Sequence, residues 1–228
     1  MKKFYLTLLT FFLLYLAASA QKTLAPIRLK NGNFEGVRNL LNEKPTGQGF
    51  RTLKFHKKYF ALLRFDQLPG ESEKKDLTEL GVSLFDYLPS NSFLAEISDS
   101  LAFPLLKSHR IKGVYKIPQQ FKISGKLLQR SGPSPVDPGS LIAISFFGST
   151  DKITVIDEVQ RAGAQIISTK IQPSHVIFIR GTAAVLRKIA ALPFVTYINE
   201  QSLKDIPLND KNRAIHALDA LGAFSGRN

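Results

Sequence analysis

The four histidines are the side chains best suited to acid–base or metal chemistry in this sequence of 228 residues. They are His56, His109, His175 and His216, and none is spaced with another histidine or a carboxylate as a metal-binding pair would be. We therefore interpret them as structural side chains. The sequence contains no cysteine, which excludes disulfides, thiol catalysis and lipid attachment through a cysteine.

The carboxylates and hydroxyls offer no clearer site. Paired acids such as Glu71 and Glu73 lie in amphipathic segments and indicate solvated helix faces. The hydroxyl residues within 148–150 and 181–183 fit turns and helix caps, and no phosphate-binding loop surrounds them. We predict no catalytic residue, metal ion or cofactor within this sequence.

The net charge of +13 comes from 31 basic and 18 acidic side chains. The basic residues are scattered, with no run longer than pairs such as Lys57 and Lys58. Scattered charge favours a solvated surface, and an acidic partner is the alternative. The segments predicted as third strands lack the aromatic and basic pattern of RNA-recognition modules, so we predict no nucleic-acid binding.

Residues 1–20 have the organisation of a secretory signal peptide. Lys2 and Lys3 precede an apolar run over residues 4–17, and small residues follow it. That run is shorter than the roughly 20 residues of a spanning helix. We predict cleavage between Ala20 and Gln21, a secreted or periplasmic mature protein, and no membrane attachment after cleavage.

The segment from residue 140 to residue 202 has the pattern strand, helix, strand, strand, helix, strand. Strands are predicted where β-branched residues run together, and helices where apolar residues recur every three or four positions. Gly163 is placed to end the first helix, and Thr182 to begin the second. This order is the βαββαβ arrangement of ferredoxin-like domains.

An upstream copy of the pattern occupies residues 51–124. Its Gly81 and Pro89 take the places of Gly163 and Pro173 in the second copy. The sequence thus predicts an α+β fold, with two tandem ferredoxin-like βαββαβ domains built on antiparallel sheets. The predicted organisation is a signal peptide (1–20), an N-terminal hairpin turning at Asn31-Gly32 (21–50), the first domain (51–124), a Pro/Gly/Ser linker (125–139), the second domain (140–202) and a tail (203–228).

The predicted strands are apolar on both faces, although the helices of such a domain cover one face only. Apolar surface left in water forfeits roughly 25 cal/mol per Å². We expect an external protein surface to cover the second face, and the alternative is that the two sheets cover each other. The candidate docking residues are Phe60, Leu62, Phe85, Tyr87, Ile142, Ile144, Phe146, Ile177 and Ile179.

Several stretches resemble the N-terminal pro-region of secreted bacterial subtilisin-like serine proteases. They are LIAISF at 141–146, AGA at 162–164 and PFVTYINE at 193–200, with YFALLRF at 59–65 in the first copy. The tail stretch NRAIHAL at 212–218 is similar to the segment that joins such pro-regions to the protease domain. The resemblance covers roughly residues 51–228.

The chain lacks the catalytic blocks of that family, which are D-[ST]-G, H-G-T-H and G-T-S-M. No catalytic residue is carried over. The resemblance implies that the chain is the front part of a larger serine-type endopeptidase of that family, or a truncated or stand-alone product.

The resemblance implies an intramolecular chaperone and temporary inhibitor. The partner would be a subtilisin-like catalytic domain, in cis or in trans, with the apolar sheet face docked on it. The alternative is a secreted interaction or adhesion module with no protease partner. The segment expected to enter the substrate cleft comprises Asn199, Glu200, Gln201, Ser202, Leu203, Lys204 and Asp205.

Overall fold

The computed structural model describes residues 25–36, 38–129, 140–168 and 175–202. The predicted signal peptide, the Ala20–Gln21 bond, most of the predicted linker and the tail from residue 203 lie outside the described residues. The described part is an α+β protein with antiparallel sheets, which confirms the predicted fold class. No helix in it is both long and apolar enough to cross a bilayer.

An antiparallel hairpin opens the described chain, as predicted. Its strands are β1 (Ile27–Leu29) and β2 (Gly32–Phe34), with Leu29 opposite Gly32. The two turn residues are therefore Lys30 and Asn31, one position before the predicted turn. A 3-10 helix at Leu40–Asn42 and helix α1 (Gln48–Arg51) follow.

We call the segment from β3 through β7 the first unit. It contains two helices and a five-stranded sheet. The sheet order is β3-β4-β6-β5, and β7 pairs with the later residues of β4, beyond those that pair with β3. The elements are β3 (Lys54–Phe55), β4 (Lys58–Phe65), α2 (Glu71–Glu79), β5 (Val82–Leu88), β6 (Ser92–Ser98), α3 (Leu105–Ser108) and β7 (Ile111–Tyr115).

Two short helices that the sequence did not predict connect the units. They are α4 (Gln119–Lys122) and α5 (Gly125–Leu128), so the first residues of the predicted linker are helical. Between them, Ile123 forms a bridge to Ile198 of the last strand, and the Ser124 amide donates to the Ile198 carbonyl at 2.9 Å. The connector is thereby attached to the edge of the second sheet.

The second unit, β8 through β11, repeats the element order of the first. Its four antiparallel strands have the order β11-β8-β10-β9. The Asp151 side chain caps the first helix by accepting from the Thr154 amide at 2.9 Å, and Thr182 caps the second. The elements are β8 (Ser140–Phe146), α6 (Lys152–Arg161), β9 (Gln165–Ser168), β10 (Val176–Arg180), α7 (Ala183–Ala191) and β11 (Val195–Ser202).

The buried apolar residues form clusters, one of which contains side chains from both units. One cluster fills the space between the first sheet and its helices, and includes Leu63, Leu77 and Ile97. A second cluster fills the helix side of the second sheet but also contains Phe60 and Leu94 of the first. The second cluster is consequently shared by the two units.

Candidate functional site at the junction of the units

The face of the first sheet that points away from its helices is covered by other parts of the same chain. Side chains alternate along a strand, so Phe60, Leu62 and Arg64 of β4 share this face. The β1–β2 hairpin covers one end of it, where Phe34 packs edge-on against Tyr115 with ring centroids 5.9 Å apart. The second unit covers the other end.

The second unit makes this contact mainly through Phe147, the residue that follows β8. Its ring lies 5.0 Å from that of Phe60 and 5.3 Å from that of Phe85, and the residue is 4% exposed. The loop before β11 adds Phe194, whose ring lies 4.6 Å from that of Phe55. Loops at one end of the second unit, and not its sheet face, therefore close the first sheet.

A buried carboxylate joins the units beside this aromatic contact. Glu96 of β6 forms an ion pair with Lys58, whose Nζ lies 2.7 Å from Oε1. Its other oxygen accepts a hydrogen bond from the Ser149 hydroxyl of the second unit. Because both carboxylate oxygens have partners, the cost of burying this charge is offset, and loss of either partner would leave it uncompensated.

A second acidic group faces the second unit across the same boundary. Desolvation by its surroundings raises the pKa of the Asp86 carboxyl on β5, and the electrostatic interaction with His175 acts in the opposite direction. The His175 ring packs edge-on against Phe146. Polar groups from both units thus rim the aromatic contact.

Lys122 of α4 is a buried cation without a carboxylate partner in the described residues. Its ammonium donates to the carbonyls of Leu192 at 3.0 Å and Pro193 at 3.5 Å. Burial, and secondarily the charge of Lys116, lowers the pKa of Lys122 to about 7. A cavity beside it has room for about one water molecule, too little for a substrate.

The tip of the N-terminal hairpin bonds both the connector and the second unit. The Asn31 side chain donates to the carbonyl of Gln120 at 3.0 Å and to that of Ile123. It also accepts from the Tyr197 hydroxyl of β11 at 3.4 Å, while the Lys30 ammonium lies 4.5 Å from the Tyr197 ring centroid. Burial lowers the pKa of Lys30 and raises that of Tyr197.

Most of the side chains predicted to dock a partner are buried within the chain. In the second unit the predicted residues point toward α6 and α7, while in the first unit Phe60 and Leu62 are covered by the contacts above. Phe85 is half-buried and Tyr87 is 50% exposed on the edge strand β5. An uncovered face made of these residues does not exist in the structure. The buried ones are Phe60, Leu62, Ile142, Ile144, Phe146, Ile177 and Ile179.

The predicted cleft-binding segment lies partly in strand β11. Asn199, Glu200 and Gln201 are half-buried and pair with β8, and Ser202 is the last paired residue of the strand. Leu203, Lys204 and Asp205 lie outside the described residues.

The sequence interpretation missed Glu96, Lys122 and Asn31. A carboxylate on an otherwise apolar strand was the available signal for Glu96, because a buried charge needs a partner. Nothing in the short segment around Lys122 indicated burial. In the described ranges no group of three His, Asp or Glu side chains is arranged as a metal site.

Comparison with known proteins gives one match. Residues 28–118 match a family described as Domain of unknown function (DUF8729). The match begins in β1 and ends just beyond β7, so the hairpin and the first unit fall in one matched stretch and the second unit lies outside it. The chain matches no curated protein and no solved structure.

Proposed function

We propose that this chain is the pro-region of a secreted subtilisin-like serine endopeptidase, acting as an intramolecular chaperone and a temporary inhibitor. Export, with cleavage after Ala20, is part of the proposal. In it each unit is a ferredoxin-like βαββαβ domain. Strand order supports this assignment, because β7-β4-β6-β5 and β11-β8-β10-β9 both place the fourth strand beside the first, then the third and the second.

The observation that carries the proposal is the position of β11. This strand pairs with β8 through Ser202, so the start of the cleft-binding segment is held extended next to the tail. Extended segments enter protease clefts by adding a strand to the enzyme. A segment that is already extended loses less conformational entropy when it binds.

The docking surface in this proposal differs from the one predicted from the sequence. Because seven of the predicted residues are buried in the chain, they are unable to contact a protease without unfolding. We assign the contact to the end of β11 and the tail residues after it. Tyr87 is the one predicted docking residue that is substantially exposed.

The test adds the mature chain, beginning at Gln21, to a panel of purified secreted subtilisin-like endopeptidases. We expect inhibition of peptide hydrolysis in the micromolar range for at least one enzyme, and a higher yield of active enzyme on renaturation. Deleting residues 203–228 should weaken the inhibition and leave the renaturation effect. Absence of both effects across the panel would contradict the proposal.

A secreted interaction or adhesion module without a protease is the second candidate. The internal cover of the first sheet favours it, because that sheet needs no external partner to bury its apolar face. The same panel separates the candidates, since an adhesion module would neither inhibit a protease nor assist its renaturation.

A further inference from the structure

Two segments of the chain that pack together carry basic side chains and no acidic ones. Residues 116–129 and 179–195 together contain six Lys or Arg and no Asp or Glu. The structure brings these segments together, because α4 packs against both α7 and β11, and α5 packs against β11. Five of the six are exposed, and we name four of them, from the connector and α7, the cationic flank: Lys116, Lys126, Arg187 and Lys188. The fifth, Arg180, is the last residue of β10.

The charges of the cationic flank are uncompensated within the described residues, where none of its four members forms an ion pair. The first unit differs, because its Lys54, Lys58 and Lys74 each pair with a carboxylate within 3.0 Å. Strand β11, which packs against these segments, contributes the acidic residue Glu200. Glu200 is half-buried and already interacts with another group. The flank therefore carries four positive charges with no acidic side chain within its own two segments.

Lys122 lies buried in one of the same segments, and its amine adds positive charge there when it is protonated. Among the residues that the structure describes, the Leu192 and Pro193 carbonyls receive its hydrogen bonds, and the nearby charge of Lys116 contributes to its lowered pKa. Like charges held together cost stability through mutual repulsion. An arrangement with this cost is expected where a negatively charged partner relieves it.

The other side chains of the flank indicate which polyanion would bind. Insertion into a membrane needs exposed apolar residues, and the large exposed ones in the described chain (Leu68, Tyr87, Leu105 and Ile153) lie on other elements. Binding of single-stranded nucleic acid uses exposed aromatics for stacking. The aromatics of these segments are Phe194, which is buried, and Phe121, which packs against Phe34.

We propose that the cationic flank is a docking surface for an acidic patch on a partner protein. Long-range attraction would guide the encounter, and short-range pairs would fix the orientation. This surface is separate from the end of β11, and the inference does not depend on the partner being a protease.

The test compares two charge-reversal variants of the full mature chain. The flank variant carries Lys126→Glu, Arg187→Glu and Lys188→Glu. The control carries Lys44→Glu, Lys75→Glu and Lys107→Glu, three exposed residues away from these segments, with the same change in net charge. Binding is measured to poly-L-glutamate, to a DNA duplex and to vesicles containing phosphatidylglycerol. A Lys126→Gln, Arg187→Gln, Lys188→Gln variant serves if charge reversal prevents folding.

We expect the flank variant to bind poly-L-glutamate at least about tenfold more weakly than the control, and the glutamine variant to fall between wild type and flank variant. Equal losses in flank and control variants would overturn the proposal, because binding would then depend on net charge alone. A flank-specific loss confined to the duplex or to the vesicles would overturn it as well, since the partner would be a nucleic acid or a membrane.

Discussion

The two sheets share a strand order but differ in how far their own helices bury them. Helices α6 and α7 of the second unit bury five side chains in its core: Val155, Val159, Leu186, Ile189 and Ala190. Helices α2 and α3 of the first unit bury one each, Leu77 and Leu106. The first sheet is completed by residues from outside its βαββαβ pattern, including Phe50 on its helix side and Phe147 on the other.

This difference shows that two units with the same strand order can bury their sheets with different parts of the chain. A sheet face is stabilised by whichever apolar surface reaches it, whether helix, hairpin or neighbouring unit. The helices of the second unit supply more of its core than those of the first unit do, and the first sheet is completed by the hairpin and the second unit. The predictions below test that asymmetry.

The largest effect should come from truncating the core of the second sheet. Ile144 is fully buried beneath α6 and α7, so Ile144→Ala should lower the free energy of unfolding by about 2–5 kcal/mol. Ile153→Ala is the control, because Ile153 is 70% exposed and its loss should change stability by about 0.5 kcal/mol or less. Urea denaturation measures both. A stable Ile144→Ala protein would indicate that the residue is on a docking surface after all.

A pH-dependent difference should follow from Lys122 at the junction. Its pKa is about 7 in the folded protein against an ordinary value of 10.5. Between these values the unfolded chain binds a proton that the folded chain does not, so lowering the pH favours unfolding by about 1.4 kcal/mol per pH unit. Lys122→Met should remove this slope.

The measurement is the free energy of unfolding at about pH 7 and about pH 9, where removing Lys122 should reduce the change by about 2–3 kcal/mol. Lys126→Met, at an exposed site on α5, is the matched control and should keep the wild-type slope. If Lys122→Met retains that slope too, the amine is not buried as described.

A smaller effect is expected at the hairpin tip, where a substitution weakens the contact between the hairpin and the second unit without removing a core side chain. Asn31→Ala removes hydrogen bonds to the connector and to Tyr197, and should cost about 1–2 kcal/mol. The exposed Asn33 of the same hairpin provides the comparison, with an Asn33→Ala change of about 0.5 kcal/mol or less. Equal effects of the two substitutions in thermal unfolding would argue against a role of the tip in joining the units.

Local features of this fold could be predicted from the sequence because they depend on neighbouring residues. Period-two alternation correctly separated Ile142 and Ile144 from Leu141 and Ala143. Gly81 and Gly163 end helices with φ of 89° and 103°, a conformation that favours glycine.

The cover of each face could not be predicted, because it depends on contacts between distant segments. The period-two pattern of a strand predicts which side chains share a face of the sheet, but it does not predict which face the helices cover. The apolar second face was interpreted as evidence of a missing partner, whereas Phe147 and the β1–β2 hairpin fill that place. The same long-range packing buries Lys122, whose short helix has too few residues for a periodic signal.

The contact between Phe60 and Phe147 tests most directly whether the second unit closes the first sheet. A double-mutant cycle with Phe60→Leu, Phe147→Leu and the combined variant measures their coupling free energy by urea denaturation. For rings 5.0 Å apart in an edge-on arrangement we predict a favourable coupling of about 0.5–1.5 kcal/mol. Additive effects of the two substitutions, with no coupling, would contradict the shared core.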